Sequence, residues 1–118
     1  MKLKYHKTLT EQKWASFPFY KQILMIANEL NRANYWIKNN DVSEVKLCYE
    51  RALELVYLTI TTLNERRRLK ELLRFKEILA SFYIKPKISY KENNDLLKLL
   101  LLFDRNSFLL LQKDKSIN

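Results

Sequence analysis

Apolar residues recur at helical spacing through the first half of the chain. In one segment they follow steps of 4, 3, 4, 3 and 4, at Phe19, Ile23, Ile26, Leu30, Ala33 and Ile37. A second segment repeats these steps at Val45, Tyr49, Ala52, Val56, Thr59 and Leu63. Such spacing puts each set on one face of a helix. Two amphipathic helices are therefore predicted, over residues 17–38 and 42–63.

A very short polar connection separates these two helices. Asn39 and Asn40 end the first, and Asp41 is placed to cap the second. Helices joined by so short a loop pack antiparallel with coiled-coil-like contacts. The pattern therefore predicts that the two helices form an antiparallel hairpin at the core of the fold.

The apolar pattern breaks after Leu63, where its continuation would bury Arg66 and Lys70. The apolar positions shift instead to Leu69, Leu72, Phe75, Leu79 and Phe82. Two explanations are open: a continuous helix with a kink, or a third helix that Thr62 or Asn64 caps. The capped third helix is favoured, because both residues are good N-caps.

The second half of the chain predicts one further helix. The third helix should end near Ile84, because the residue before Pro86 disfavours helical geometry. A polar loop then covers residues 85–94, and a leucine-rich fourth helix runs from Leu96 to about Leu111.

These elements predict an all-α fold, an up-and-down four-helix bundle. Residues 16–112 would form its single domain. Residues 1–15 would be an N-terminal extension, and residues 113–118 a frayed tail.

The chain contains no glycine, and this absence excludes several kinds of site. Phosphate-binding loops and dinucleotide-binding fingerprints need glycines at fixed positions. The nucleophile elbow of α/β-hydrolases and the calcium loop of EF-hands need them too. Function should therefore lie on exposed surfaces rather than around a cradled ligand, and no cofactor is expected.

The chain has one cysteine and one histidine, and no metal site is expected. Cys48 is the only cysteine and His6 the only histidine, so together they cannot complete a zinc site. One cysteine also precludes an intrachain disulfide and fits a reducing compartment. The sequence shows neither a secretory signal nor the roughly 20 apolar residues that cross a bilayer. A cytoplasmic location without membrane contact is expected.

A basic cluster is the most informative polar feature. The net charge is +9, from 22 Lys and Arg against 13 Asp and Glu. Arg67, Lys70 and Arg74 stand at helical spacing on the third helix, with Arg66 beside them. Such a stripe can bind phosphates, including those of a nucleic acid, or an acidic protein surface. The alternative is an outer face that only contacts water.

The second helix is apolar on nearly every face between Leu55 and Ile60. Such a segment must be covered on all sides. Either other helices of the same chain surround it, or a second subunit covers the remainder. The second possibility predicts a homodimer with Leu55, Tyr57 and Leu58 in its interface.

Two carboxylates on the second helix offer another candidate site. Glu50 and Glu54 stand four residues apart and share a helix face, with Arg51 between them. A carboxylate pair can bind a divalent cation or transfer protons. The alternative is an exposed charged face in which Lys46 and Arg51 neutralise both carboxylates.

The stretch 26–60 resembles the first two helices of HEPN-type bundles, including the helical substrate-binding partners of minimal nucleotidyltransferases. The similarity lies in an amphipathic helix, a short turn ending in Asp41, and a helix with Tyr49 and Ala52. It implies a helical bundle, dimerisation, and a role beside a nucleotidyltransferase or a nucleic acid. HEPN ribonucleases also have an arginine followed closely by a histidine on a late helix. Here no histidine follows His6, so that ribonuclease chemistry is not expected.

Two functional hypotheses follow. The preferred one is a non-catalytic, homodimeric interaction protein that binds a protein partner or an acidic ligand through Arg66, Arg67, Lys70 and Arg74. The alternative is an accessory subunit of a minimal nucleotidyltransferase, in which Glu50, Arg51 and Glu54 line a cleft between protomers.

Overall fold

A computed structural model describes residues 3–104, and all regular elements in this range are helical. The all-α prediction is therefore confirmed. The helices are α1 (Glu11–Ala15), α2 (Phe19–Lys38), α3 (Val42–Thr62), α4 (Arg66–Tyr83) and α5 (Tyr90–Leu101). Helix α5 ends at Leu101, so the predicted helix does not run without a break from Leu96 to Leu111. Leu111 itself, the domain boundary at residue 112 and the tail 113–118 lie outside the described residues.

Helices α2 and α3 bury the two faces that the sequence pattern marks. The central residues of both apolar faces are buried: Ile23, Ile26, Leu30, Ala33, Val45, Tyr49, Ala52, Val56 and Thr59. Asn40 turns the chain between them with a φ of 58°, a conformation that asparagine tolerates better than most residues. Asp41 then caps α3, since its side chain accepts a hydrogen bond from the Glu44 N–H at 3.1 Å.

Helix α4 starts later than either predicted cap. Glu65 caps it, because its carboxylate accepts hydrogen bonds from the N–H groups of Arg67 (3.0 Å) and Arg68 (3.2 Å). Leu63 is extended, so α3 and α4 are separate helices rather than one kinked helix. The prediction that Thr62 or Asn64 caps the third helix is therefore wrong. The predicted apolar face of this helix is buried at Leu72, Phe75 and Leu79.

Helix α5 begins inside the predicted polar loop. Ser89 and Glu92 form a reciprocal capping box that starts the helix at Tyr90. Lys85 donates a hydrogen bond to the Glu92 carboxylate, and this contact, with the bonds at Ser89, lowers the pKa of Glu92 to about 2. The loop prediction is wrong here because the polar residues that suggested it are used in the cap and in the core.

Asn93 is the polar residue that α5 places in the core. Its side-chain N–H groups donate to the Leu30 carbonyl at 2.8 Å and to Asn34 Oδ1 at 2.7 Å. Its Oδ1 accepts from the Tyr49 hydroxyl at 2.7 Å. Burial raises the pKa of Tyr49, so this hydroxyl stays protonated and remains a donor near neutral pH. One side chain thus joins α5 to both helices of the hairpin.

Residues 3–15 contribute to the core rather than extending from it. Trp14 of α1 is fully buried, and its indole Nε1–H donates to Thr59 Oγ1 at 3.1 Å. Gln22 Nε2 donates to the Trp14 carbonyl at 2.8 Å. The predicted boundary at residue 16 therefore cuts through the packed part of the molecule.

The helices pack around α2 and α3. Helix α2 contacts α3 and α5, and α3 also contacts α1 and α4. Helices α4 and α5 contact each other far less than α2 contacts α3. This sparse contact leaves an open groove between α4 and the end of α5, and that groove contains most of the predicted basic site.

Candidate functional site

A groove of about 470 Å³ runs between α4 and the end of α5. One wall is formed by five residues of α4: Arg67, Lys70, Glu71, Arg74 and Phe75. The other wall consists of Leu99, Leu102 and Phe103. Three of the four predicted basic residues therefore come together here. Arg66 is exposed on α4 but does not line the groove.

The floor and far wall of the groove are apolar. Phe75 is fully buried beneath it and meets the Phe103 ring edge-to-face, with 5.8 Å between ring centroids. Leu102 stands at the rim with 70% of its surface exposed. Leu99, Leu102 and Phe103 therefore form an apolar wall that is partly exposed to solvent.

The cations at the rim are weakly neutralised. Arg67 is 89% exposed, and its Nε lies 3.9 Å from Glu71 Oε1. Such an exposed pair contributes little to stability. Lys70 and Arg74 are exposed and form no ion pair within residues 3–104. By contrast, Arg68 does not line this groove, and its guanidinium lies 4.3 Å from the centre of the Phe19 ring.

The charges of α4 oppose its helix dipole. The first turn contains Arg66, Arg67 and Arg68 and no acidic residue. Each cation near a helix N-terminus costs about 0.3–1 kcal/mol, because the free N–H groups there carry partial positive charge. Glu65 offsets only part of this repulsion. The contacts of Arg68 with Phe19 and Glu65 also offset part of it.

Only the cationic half of this groove is predicted by the sequence. The stripe on α4 follows from helical spacing within one element. Leu99, Leu102 and Phe103 were missed as site residues, although they belong to one of the two longest unbroken apolar runs in the chain, residues 99–103. A helix end cannot bury five consecutive apolar residues on one face, and this excess is the pattern that could have revealed the exposed wall.

The carboxylate candidates of α3 have partners within the chain. Glu54 is only 8% exposed through its side chain and accepts hydrogen bonds from the backbone N–H groups of Lys4, Tyr5 and His6 at 2.7–3.2 Å. Burial alone would raise the pKa of Glu54, but the bonds from His6 and Tyr5 outweigh it and lower that pKa. The Glu50 carboxylate accepts from the Tyr5 hydroxyl at 2.6 Å.

Arg51 points toward α2 instead of toward these carboxylates. Its Nε donates to Glu29 Oε2 at 3.0 Å, and Arg32 binds the other oxygen of Glu29 at 3.3 Å. Lys46 donates to the carbonyls of Tyr83 and Lys85. The expectation that Lys46 and Arg51 neutralise Glu50 and Glu54 is therefore wrong. Glu54 is an anchor for the N-terminal segment. Glu50 and Glu54 line one surface groove together with Tyr57, but Arg51 lies outside it.

Removing the anchoring charge should release the N-terminal segment. We expect Glu54→Gln to lower the free energy of unfolding by about 1–2 kcal/mol near neutral pH, since bonds to a charged acceptor are the stronger ones. Amide hydrogen exchange at Lys4, Tyr5 and His6 should accelerate. Because folding lowers the pKa of Glu54 below its ordinary 4.5, its contribution is complete above that value and is lost as the pH falls further.

The difference between wild type and Glu54→Gln should therefore shrink toward zero in acid. Urea unfolding at about pH 7 and about pH 3 measures it. Glu50→Gln is the matched control. It removes one carboxylate from the same helix but leaves the hydrogen bonds from the backbone N–H groups to Glu54 in place. Unchanged amide exchange in Glu54→Gln would contradict the anchoring role.

The residues predicted for a subunit interface are mostly internal. Leu55 and Leu58 are each 2% exposed, so other helices of the same chain cover them. This outcome matches the first of the two possibilities for the segment 55–60. Tyr57 is half-buried and lines a second groove, of about 420 Å³, with Lys4, Tyr5 and Lys76. Leu55 and Leu58 cannot form the predicted contact, and dimerisation itself stays a prediction.

The two remaining reactive side chains, Cys48 and His6, belong to no candidate metal-binding group among the described residues. Within residues 3–104, no three His, Cys, Asp or Glu side chains are grouped so that they could hold a metal ion. Cys48 is buried, and that burial raises the pKa of its thiol. His6 contacts the Glu54 carboxylate at 3.0 Å.

The groove between α4 and α5 is therefore the strongest candidate site. In the part of the chain that the structure covers, no helix combines the length and apolar content needed to cross a bilayer. No protein-family model matches the chain, and neither characterised proteins nor solved structures show a significant match to it. The resemblance to HEPN-type bundles, and with it a nucleotidyltransferase partner, stays a prediction.

Proposed function

We propose that this protein is a non-catalytic helical interaction protein that binds an acidic segment of a protein partner in the groove between α4 and α5. The scaffold would be an up-and-down four-helix bundle of α2 to α5, consistent with the short α2–α3 turn and the contacts between α2 and α5. The observation that carries the proposal is the groove itself, with Arg67, Lys70 and Arg74 on one rim and apolar residues opposite.

Charge supports an acidic partner over a neutral one. Lys70 and Arg74 are exposed and make no ion pair within the described range, while three arginines occupy the unfavourable end of α4. A cationic rim accelerates association with an acidic surface and orients it. An apolar floor then contributes affinity that does not depend on salt.

Charge reversal at the rim tests the proposal. We expect the triple variant Arg67→Glu, Lys70→Glu, Arg74→Glu to bind a labelled poly-glutamate peptide at least about 30-fold more weakly at low salt, since it loses three exposed ion-pair contacts of about 0.7 kcal/mol each. Fluorescence anisotropy measures this. All three residues are exposed on α4, where substitutions seldom change stability much, so the variant should stay folded.

The matched control reverses three exposed lysines outside the groove, Lys7, Lys76 and Lys87. Both triple variants change the net charge by the same amount, so a general electrostatic effect would weaken binding equally. Equal affinity of wild type and the rim variant, or equal losses in both variants, would remove the groove as the acidic-partner site.

The structure brings together only two of the three residues of the accessory-subunit hypothesis, since Glu50 and Glu54 line one groove and Arg51 does not. The hypothesis needs Glu50, Arg51 and Glu54 to face one cleft between protomers. Instead, Glu54 holds the N-terminal segment and Arg51 pairs with Glu29. We therefore propose the groove, and not this cleft, as the functional surface.

A further inference from the structure

We infer that the segment bound in the groove is a short acidic amphipathic helix, which inserts a large apolar side chain between Phe75, Leu99 and Leu102. The inference rests on the proposed function and specifies the shape and chemistry of the partner. Carboxylates on one flank of that helix would face Arg67, Lys70 and Arg74, while its apolar flank would contact the end of α5.

The two walls of the groove differ in chemistry, and this asymmetry selects an amphipathic ligand. All the cations lie on the α4 side, whereas the opposite side offers Leu99, Leu102 and Phe103. A nucleic acid presents phosphates without a large apolar face, so it would leave the leucine wall exposed to water. Glu71 also lies among the cations, so the carboxylates of a partner must be spaced to face Arg67, Lys70 and Arg74 and to avoid Glu71, which an unbroken line of phosphates cannot do.

The spacing and form of the walls favour a helix. Arg67 and Arg74 are seven residues apart, about 10 Å along α4, which is the length of two helical turns. Both walls are helical or follow directly on a helix, so they offer no strand edge to an extended peptide. A helix placed in a groove instead binds through side chains at helical spacing.

The groove also has room for such a ligand. Its volume of about 470 Å³ lies within the usual range of about 300–1,000 Å³ for ligand pockets. A neighbouring depression of about 410 Å³ shares Arg67, Glu71, Leu102 and Phe103 with it and extends toward Glu65. Together they form one continuous trough along the first half of α4, longer than a single side chain needs.

Three labelled peptides of equal length test the inference by fluorescence anisotropy with the full chain. The first places Glu residues at helical spacing on one face and two Leu residues on the adjoining face. The second has the same composition in scrambled order, and the third has serine at both Leu positions. We expect the first to bind at least about tenfold more tightly than either of the others, because only it can bury Leu residues while pairing with the rim.

A variant of the exposed leucine separates the apolar contact from the charge contact. Leu102→Ser should weaken the amphipathic peptide about five- to tenfold and leave poly-glutamate binding unchanged. Leu102 is 70% exposed, so its replacement should not impair folding. Leu73→Ser is the matched control, since Leu73 is an exposed leucine of α4 outside the groove.

The outcomes distinguish this inference from the proposed function. Equal binding of ordered and scrambled peptides, or no effect of Leu102→Ser, overturns the helix inference while the acidic-partner proposal stands. The same holds if the amphipathic peptide does not bind the full chain but poly-glutamate does. Tighter, Leu102-independent binding of a DNA duplex overturns the helix inference in favour of nucleic acid. Loss of all acidic binding, poly-glutamate included, overturns both.

Discussion

Trp14→Ala is expected to lower the free energy of unfolding by about 3–5 kcal/mol, the usual cost of truncating a fully buried tryptophan. Trp14 has no exposed surface and packs with α1 against α3. Its removal leaves a cavity and withdraws the indole donor from Thr59. Domains are stable by only about 5–15 kcal/mol, so this loss is a large share of the free energy of unfolding. Urea unfolding followed by circular dichroism measures the change.

Two milder variants separate the causes of this loss. Trp14→Phe keeps most of the ring packing but removes the indole N–H, and should cost about 1–2 kcal/mol. The Thr59 hydroxyl still donates to the Leu55 carbonyl at 2.8 Å, so only one hydrogen bond is lost. Phe17→Ala, at a half-buried ring 5.9 Å from Trp14, should cost less than Trp14→Ala. If Trp14→Ala were nearly neutral, residues 1–15 would indeed be an extension, as the sequence first suggested.

The fold could be predicted from the sequence where the buried residues follow the spacing of apolar residues within a single helix. The buried apolar faces of α2, α3 and α4 were predicted for this reason, because each depends on spacing within a single helix. Helix α1 was missed because five residues are too few to show a period, although Thr10 caps it. The start of α5 was missed because Asn93 looks like a loop residue until Tyr49 and Asn34 are brought beside it.

The candidate site was likewise predictable only where it depends on spacing within a single helix. The cations of α4 share a stripe by local spacing, whereas the apolar wall depends on how α5 ends against α4. Glu54 shows the limit most clearly, because nothing near it in the sequence indicates that residues 4–6 return to α3. Its spacing from Glu50 suggested an exposed pair, but a contact across about 50 residues gives it another role.

Asn93→Ala is expected to lower the free energy of unfolding by about 2–4 kcal/mol. The substitution leaves the Tyr49 hydroxyl without its acceptor and the Asn34 side chain without a donor. A buried polar group left unpaired costs about 1–3 kcal/mol, and a small cavity adds to this. Asn94→Ala is the matched control, because Asn94 makes one partly exposed bond to Asn34 and should cost less than about 1 kcal/mol.

A double-mutant cycle with Tyr49→Phe shows whether the unpaired hydroxyl causes the loss. Tyr49→Phe removes the group that Asn93→Ala leaves unpaired, so the double variant should be about 1 kcal/mol more stable than the sum of the single effects predicts. Additive effects would mean that Asn93 acts mainly through packing or through its bond to the Leu30 carbonyl. Because Asn93 links α5 to α2 and α3, its loss should also loosen the α5 wall of the groove. Asn93→Ala should therefore weaken the amphipathic peptide more than it weakens poly-glutamate, whose contacts lie on α4.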